Sequence, residues 1–385
     1  MTSTLNFQPL TLPAELDGLR RNVRAFIAEH RDNWSGWGMA HSWTGFDRDF
    51  SRALGRQGWI GMTWPKRYGG HECSSLERYV VIEELLAAGA PLGAHWIGDR
   101  QSGPLILRLG HEAMRQRFLP LIASGEVSFC IGLSEPEAGS DLASVRSRAE
   151  RVPGGWRLNG RKIWTTNAHD SQFMIGLFRS GGSAEEEKHR GLSQFLIDLS
   201  LPGIEIRPIA DLSGEAHFNE VVFDQVFIGE DMLVGQVGDG WAQTTSELAF
   251  ERSQPDRYMS TYPALPLAID ALNRQGLDDR LSKRRIGASL AEFAVLREMS
   301  LSVSGQLAAG HAPNQEAALV KDLGCEFEQR LPETLRELLD LPAIRDPEQR
   351  FSDMLAYYTY QSPSISLRGG TRQIMRGIIA KGAGL

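Results

Sequence analysis

Three places in the chain carry residues able to do chemistry. Leu133-Ser134-Glu135-Pro136-Glu137-Ala138-Gly139-Ser140-Asp141 is a loop of hydroxyls, small residues and backbone donors, suited to hydrogen-bond a flat heteroaromatic ligand. Lys162-Ile163-Trp164-Thr165-Thr166-Asn167 sets an indole two residues from a hydroxyl, and an extended strand would project both to one side, where a planar ring could rest. A turn followed by an edge strand with a core tryptophan accounts for the same residues. The third place is Glu251, preceded by Leu248, Ala249 and Phe250. Apolar neighbours raise a carboxylate's pKa and its basicity towards a carbon acid. Pro255 lacks the amide that would bond the carbonyl of residue 251, so a helix breaks or kinks there. The competing reading pairs Glu251 with Arg252 or Arg257 on a solvated face.

Other chemistries lack their signatures. No GxGxxG follows a strand, no GxxxxGK[ST] occurs, the nine histidines form no HExxH, and no serine sits in GxSxG. Cys73, Cys130 and Cys325 are odd in number and have no metal-ligand spacing, which predicts a reducing compartment and no metal site. Lys and Arg number 41 against 48 Asp and Glu, a net charge of -7, so nucleic acid is not an expected partner. The opening MTSTLNFQPLTLPAELD lacks a cationic stretch followed by an apolar run, and no apolar run of about 18 residues appears downstream. A cytoplasmic protein without a membrane span is expected. Trp59, Trp64, Tyr68, His95, Trp96 and Arg100 could line an acyl pocket, but aromatic residues beside glycine turns favour packing.

The elements that must position these residues follow from periodicity. Apolar residues recur at steps of three and four over Pro13–His30, Leu76–Ala88 and Pro104–Ile122, which predicts helices. Period-two alternation begins at Trp156 after Pro153-Gly154-Gly155 and continues over 171–177, 193–199, 204–209 and 219–228 as short strands. The polar stretch 181–188 reads as an exposed loop. Helical spacing returns over Gln243–Ala249, Pro266–Asn273, Ser289–Leu307, Gln315–Leu331 and Thr334–Leu339. Strands segregated between helical blocks predict an α+β chain of 385 residues in three domains: helical 1–126, β 127–233 and helical 234–385.

SEPEAGSD, GRKIWTTNA, FNEVVFDQVFIGEDMLVG, the triplet Asp239-Gly240-Trp241 and GGTRQIMRGIIA resemble the acyl-CoA dehydrogenase family. They stand in that family's order and span nearly the whole chain, most specifically in the middle third. The resemblance implies an N-terminal helical domain, a central antiparallel β-barrel and a C-terminal four-helix bundle. It also implies non-covalent FAD, acyl-CoA thioester substrates, including fatty, branched or cyclic chains, and an electron-transfer flavoprotein as acceptor. Residue by residue, it assigns Leu133 and Ser134 to the pyrimidine edge of the flavin, Ser140 to its diphosphate, and Trp164 and Thr166 to the ring near N5. Gly370, Thr371 and Gln373 would contact the cofactor from the C-terminal end. The implied reaction removes an α-proton and passes the β-hydride to flavin N5.

The base departs from many relatives. Where they carry a glutamate directly before Gly-Thr, this chain has Gly369. A minority of the family supplies the base from the first long C-terminal helix, in a context matched by Phe250-Glu251-Arg252, and the glycine leaves that space uncontested. Two segments that reach a neighbour's FAD in the relatives, Arg-x-x-Phe-Gly and Gln-x-x-Gly-Gly-x-Gly, are not recognisable in 281–287 and 338–342. That loss resembles the bacterial heteromeric members, so either a homo-oligomer or a hetero-oligomer with a related chain is expected. Two alternative readings remain: a subunit that completes a partner's site without turning over, and an oxygen-using oxidase or monooxygenase of the same fold.

Overall fold

The change from helical to strand periodicity near residue 126 is carried into the protein's computed structural model, which describes residues 5–182, 188–252, 254–275, 279–338 and 350–385; the side chains of 247–251 and 275 lie outside that description. The helices are α1 (Leu16–His30), α2 (Gly36–His41), α3 (Arg48–Arg56), α4 (Ser75–Ala87), α5 (Gly93–Ile97), α6 (Gly103–Leu109), α7 (Glu112–Ala123), α8 (Gly240–Glu251), α9 (Ala264–Gln275), α10 (Arg280–Ala308), α11 (Asn314–Leu338), α12 (Arg350–Ile365) and α13 (Arg372–Gly382). The strands are β1 (Phe129–Gly132), β2 (Arg148–Val152), β3 (Gly155–Lys162), β4 (Phe173–Arg179), β5 (Leu192–Asp198), β6 (Ile204–Ile209), β7 (Phe218–Gly229) and β8 (Leu233–Val234). None of the described helices is long and apolar enough to cross a membrane.

The chain divides into two units, one of Met1–Gly45, Ser74–Pro91 and Ala249–Leu385, the other of Phe46–Cys73 and Leu92–Leu248. In the first, Val23, Phe26 and Ile27 form the buried stripe of α1, which packs on α4. Ser74 and Glu77 close a reciprocal capping box that starts α4. Buried Glu83 and Glu84 on α4 are paired with Arg20, Arg24 and Arg297, so the apolar stripes are flanked by satisfied charge rather than by bare carboxylates. α11 packs on α10, α12 and α13. The two runs expected on either side of residue 332 are one helix, with Pro332 inside α11, and α12 was not legible as a helix. The run expected over Pro104–Ile122 is divided into α6 and α7 at Gly110, where His111 caps α7 by accepting from the Met114 amide.

The second unit holds the sheet, in the order β6-β7-β3-β2-β4-β5-β8, with β1 beside β4. Two features correct the expected antiparallel barrel. β1 and β2 each pair with β4 in parallel, and among the described residues β6 pairs only with β7 and β8 only with β5, so the sheet stays open. β1 enters from α7 running alongside β4, a direction no hairpin can produce. Where the β2–β4 ladder stops after one register, the buried Arg179 guanidinium donates instead to the carbonyls of Ala143 (2.9 Å) and Val145 (3.2 Å).

Rings from four strands form the centre of the sheet core: Phe195 lies 5.2 Å from Trp156 and 6.2 Å from Phe178, which in turn lies 5.2 Å from Phe223. Trp64, Tyr68, His95 and Trp96 are buried. Trp64 packs so tightly against Gly103 that a Cβ there would meet the indole at 2.3 Å. Cys73, Cys130 and Cys325 form no disulfide among the described residues. Phe195→Ala removes the ring the core aromatics share and is expected to destabilise the protein by about 3–5 kcal/mol, read as a lower urea midpoint at unchanged slope.

Candidate active site

β3 ends at Lys162, so Trp164 and Thr166 do not stand on an extended strand as expected. The cause lies in β7. The Thr165 amide donates to the carbonyl of Asn219 (3.1 Å), the Asn167 amide to that of His217 (2.7 Å), and the buried Asn219 side chain donates to the carbonyl of Thr165 (2.9 Å). To make these bonds the chain takes φ 59° at Trp164 and φ 54° at Asn167, in the left-handed region that non-glycine residues rarely occupy. Asparagine tolerates it; tryptophan does so at a cost of about 1–3 kcal/mol. The result is that Thr165 is buried, Thr166 is half-buried and Trp164 is 56% exposed, its ring set edge-on to Phe218 at 5.8 Å.

The 133–141 loop is fastened to this segment. Ile163 donates its amide to the carbonyl of Ser134 (2.9 Å), and the Lys162 ammonium reaches the carbonyl of Leu133 (3.3 Å) and the carboxylate of Glu135 (2.7 Å). Glu135 also accepts from the amides of Arg146 (2.7 Å) and Ser147 (3.0 Å). The structure thus brings Leu133, Ser134, Trp164 and Thr166 together within one unit, with Ser140 exposed at the far end of the loop. Among the described residues the hydroxyls of Ser134, Ser140 and Thr166 make no hydrogen bond, so they are available to a ligand. An out-turned indole beside uncommitted hydroxyls suits a planar, polar-edged heteroaromatic molecule. Lys162, Glu135 and Asn219 lie inside motifs read for other residues. A charged residue at an inward strand position was the signal that Lys162 carried.

Gly370, Thr371 and Gln373 belong to the other unit. Thr371 caps α13, its hydroxyl accepting from the Ile374 amide at 3.3 Å, and Gln373 is exposed. Arg376 pairs with Asp322 at 3.3 Å. Gly369 and Gly370 have φ 65° and 94°. The space beside Gly369, expected to be uncontested, is lined by Arg257: a Cβ at 369 would stand 3.0 Å from its guanidinium carbon. Arg257 comes from the turn Pro255–Arg257, which follows α8 where the proline was expected to end the helix. Arg368 next to it donates to the Ser260 hydroxyl (2.8 Å) and pairs with the buried carboxylate of Glu328. Glu251 is the last residue of α8, and its side chain lies outside the described residues.

Backbone conformation at these two positions sets opposite expectations for stability. Trp164→Gly relieves the strain and is expected to melt no lower than the parent protein in a thermal scan. Gly369→Ala adds a Cβ at positive φ against Arg257 and is expected to lower stability by about 1–3 kcal/mol in urea unfolding. A neutral Gly369→Ala would contradict the packing described.

Residues 13–126, 130–226 and 238–384 match the N-terminal, middle and C-terminal domains of acyl-CoA dehydrogenases. The chain is 30% identical over 377 residues to the acyl-CoA dehydrogenase IpdE1 of Mycobacterium tuberculosis, with 95% of this chain and 97% of that protein covered. It is 34% identical over 337 residues to the acyl-CoA dehydrogenase FadE34 of the same organism, covering 86% of this chain and 45% of that one. Among solved structures it is similar to the Tcur3481-Tcur3483 steroid ACAD, with a TM-score of 0.88, 25% identity, and 98% and 99% of the two chains covered. The three domain matches and the full-length likeness to IpdE1 make this chain a member of the acyl-CoA dehydrogenase family of flavoprotein oxidoreductases.

Proposed function

We propose that this chain binds FAD on the Trp164 ledge and catalyses α,β-dehydrogenation of an acyl-CoA thioester, with Glu251 as the α-proton base. The observation that carries the reading is the exposed indole on a segment whose backbone is bonded to the loop carrying Ser134, with the hydroxyls of Ser134 and Thr166 uncommitted among the described residues. That set fits FAD: the indole covers one face of the flavin ring, and the hydroxyls and the loop's backbone donate to its polar edge. Ser140 extends the loop towards the diphosphate, and Gly370, Thr371 and Gln373 are the proposed contacts from the C-terminal end.

When bound, FAD would supply the acceptor for the β-hydride, and an electron-transfer flavoprotein is the proposed recipient of the electrons. Glu251, at the end of α8 where Pro255 halts the helix, takes the proton from the carbon α to the thioester. An α-proton is a weak acid, so the carboxylate must be held at that carbon and kept dry to act as a base. The likeness to a structure named a steroid ACAD supports a bulky, ring-bearing acyl group as substrate. The name of that structure joins two proteins, which favours a second reading of the assembly: a hetero-oligomer with a related chain, against a homo-oligomer.

Anaerobic mixing of the FAD-loaded protein with ring-bearing acyl-CoA thioesters is expected to bleach the flavin absorbance. Glu251→Gln keeps FAD but bleaches about 10²–10⁴-fold more slowly. Rapid bleaching by the variant would remove Glu251 from the mechanism, and stoichiometric oxygen consumption during turnover would move the chain to the oxidases. Trp164→Gly, folded as above, is expected to bind FAD about tenfold more weakly in equilibrium titration.

A further inference from the structure

We infer that Lys162 is the positioning residue of the ligand-binding ledge: its ammonium fixes the 133–135 loop against the 162–166 segment and must carry its charge for the ligand to bind well. The inference rests on the FAD reading above and concerns a residue that reading does not use. Lys162 is wholly buried. Its three protons face three acceptors: the Glu135 carboxylate at 2.7 Å, the Leu133 carbonyl at 3.3 Å and the face of the Phe178 ring, 5.0 Å to the centroid. Two of the three belong to the loop that carries Leu133 and Ser134, and the lysine itself lies two residues before Trp164.

The surroundings explain why the charge matters. Glu135 is the titratable group facing the ammonium; β1 contributes Gly132, β4 the Phe178 ring, and β7 Val221 as the register partner. Burial lowers the lysine's pKa from 10.5 to about 8, against the opposing pull of Glu135. Burial tends to raise the Glu135 pKa, and the Lys162 ammonium together with hydrogen bonds from Arg146 and Ser147 more than offsets this and leaves it below the ordinary carboxylate value. Loss of the lysine proton removes the charge-assisted bond and the cation–ring attraction together, leaving the Glu135 carboxylate with the Arg146 and Ser147 amides alone. The loop then populates its fastened position less, and apparent affinity falls by that fraction.

Global stability moves the other way. The unfolded chain holds the lysine proton up to its ordinary pKa, so between about 8 and 10.5 the unfolded state binds more protons at this residue and its contribution to stability rises with pH; the buried Cys130 thiol, whose pKa burial raises above its ordinary 9.0, acts in the opposite sense above about pH 9, so the lysine is read between about pH 8 and 9. A general loosening of the fold would lower stability and affinity together; the lysine raises one and lowers the other.

The test is FAD affinity as a function of pH, followed by quenching of free FAD fluorescence, beside urea unfolding at the same pH values. Wild-type affinity is expected to fall about tenfold per pH unit above about 8, while unfolding stability does not fall between about pH 8 and 9, below the range where the Cys130 thiol contributes. Glu135→Gln removes the charge that raises the lysine pKa and is expected to shift the affinity midpoint to lower pH. Lys162→Met is expected to bind FAD weakly at every pH. A flat wild-type profile, or an unmoved midpoint in Glu135→Gln, overturns the inference. Should the wild-type chain take up no FAD at any pH, the functional reading fails and the fastening is judged by hydrogen exchange of the ligand-free protein. Faster exchange of the Arg146 and Ser147 amides in Lys162→Met then supports it, and unchanged protection overturns it.

Discussion

The hydrogen bonds between the start of β7 and the segment after β3 are the constraint on which the ledge depends. Asn219 and His217 offer carbonyls at a spacing that the 165–167 backbone can reach only by folding Trp164 and Asn167 into the left-handed region. The bonds at Thr165 and Asn167, with the Asn219 side chain, outweigh the strain, because those partners are buried and each would be left unsatisfied without the other. What the strain delivers is orientation. A large apolar ring is held out of the core, where its own burial would otherwise draw it. The sheet beneath supplies rigidity through the shared rings of Trp156, Phe178, Phe195 and Phe223.

A second constraint is electrostatic. A lysine enclosed in an apolar core is unfavourable on its own, and a buried ion pair is weak grounds for stability. Lys162 and Glu135 are therefore better understood as fixing geometry: one carboxylate gathers the lysine and two loop amides, and one ammonium gathers two loop acceptors and a ring of the sheet core. In the other unit, the turn around Gly369 and Gly370 is built on similar terms, with the Arg257 guanidinium against a glycine and Arg368 tied to Ser260 and Glu328.

Much of this was legible in the sequence, and the limits have physical causes. Helical spacing located α1 and α4 to within a few residues, and Pro255 stopped α8 where its missing amide requires. The polar loop and the indole–hydroxyl pair suggest a place for a flat ligand from residue types alone, which is the reading proposed above. The backbone that presents Trp164 was not readable, since it depends on pairing with residues more than fifty positions away. For the same reason the parallel pairing of β1 with β4 and the open sheet escaped: period-two alternation reports which face is buried and not which strand lies alongside. Lys162 stands within a readable motif, but its complete burial is a property of four elements together. Arg257 is legible in sequence as a partner for Glu251; its place against Gly369 is not readable from spacing.

Hydrogen exchange of the backbone with and without saturating FAD tests most directly that the out-turned tryptophan segment and the loop fastened to it form the flavin site. The account predicts slowed exchange concentrated in residues 133–140 and 163–167. Protection by FAD that leaves those two segments unchanged and falls elsewhere in the unit would contradict it.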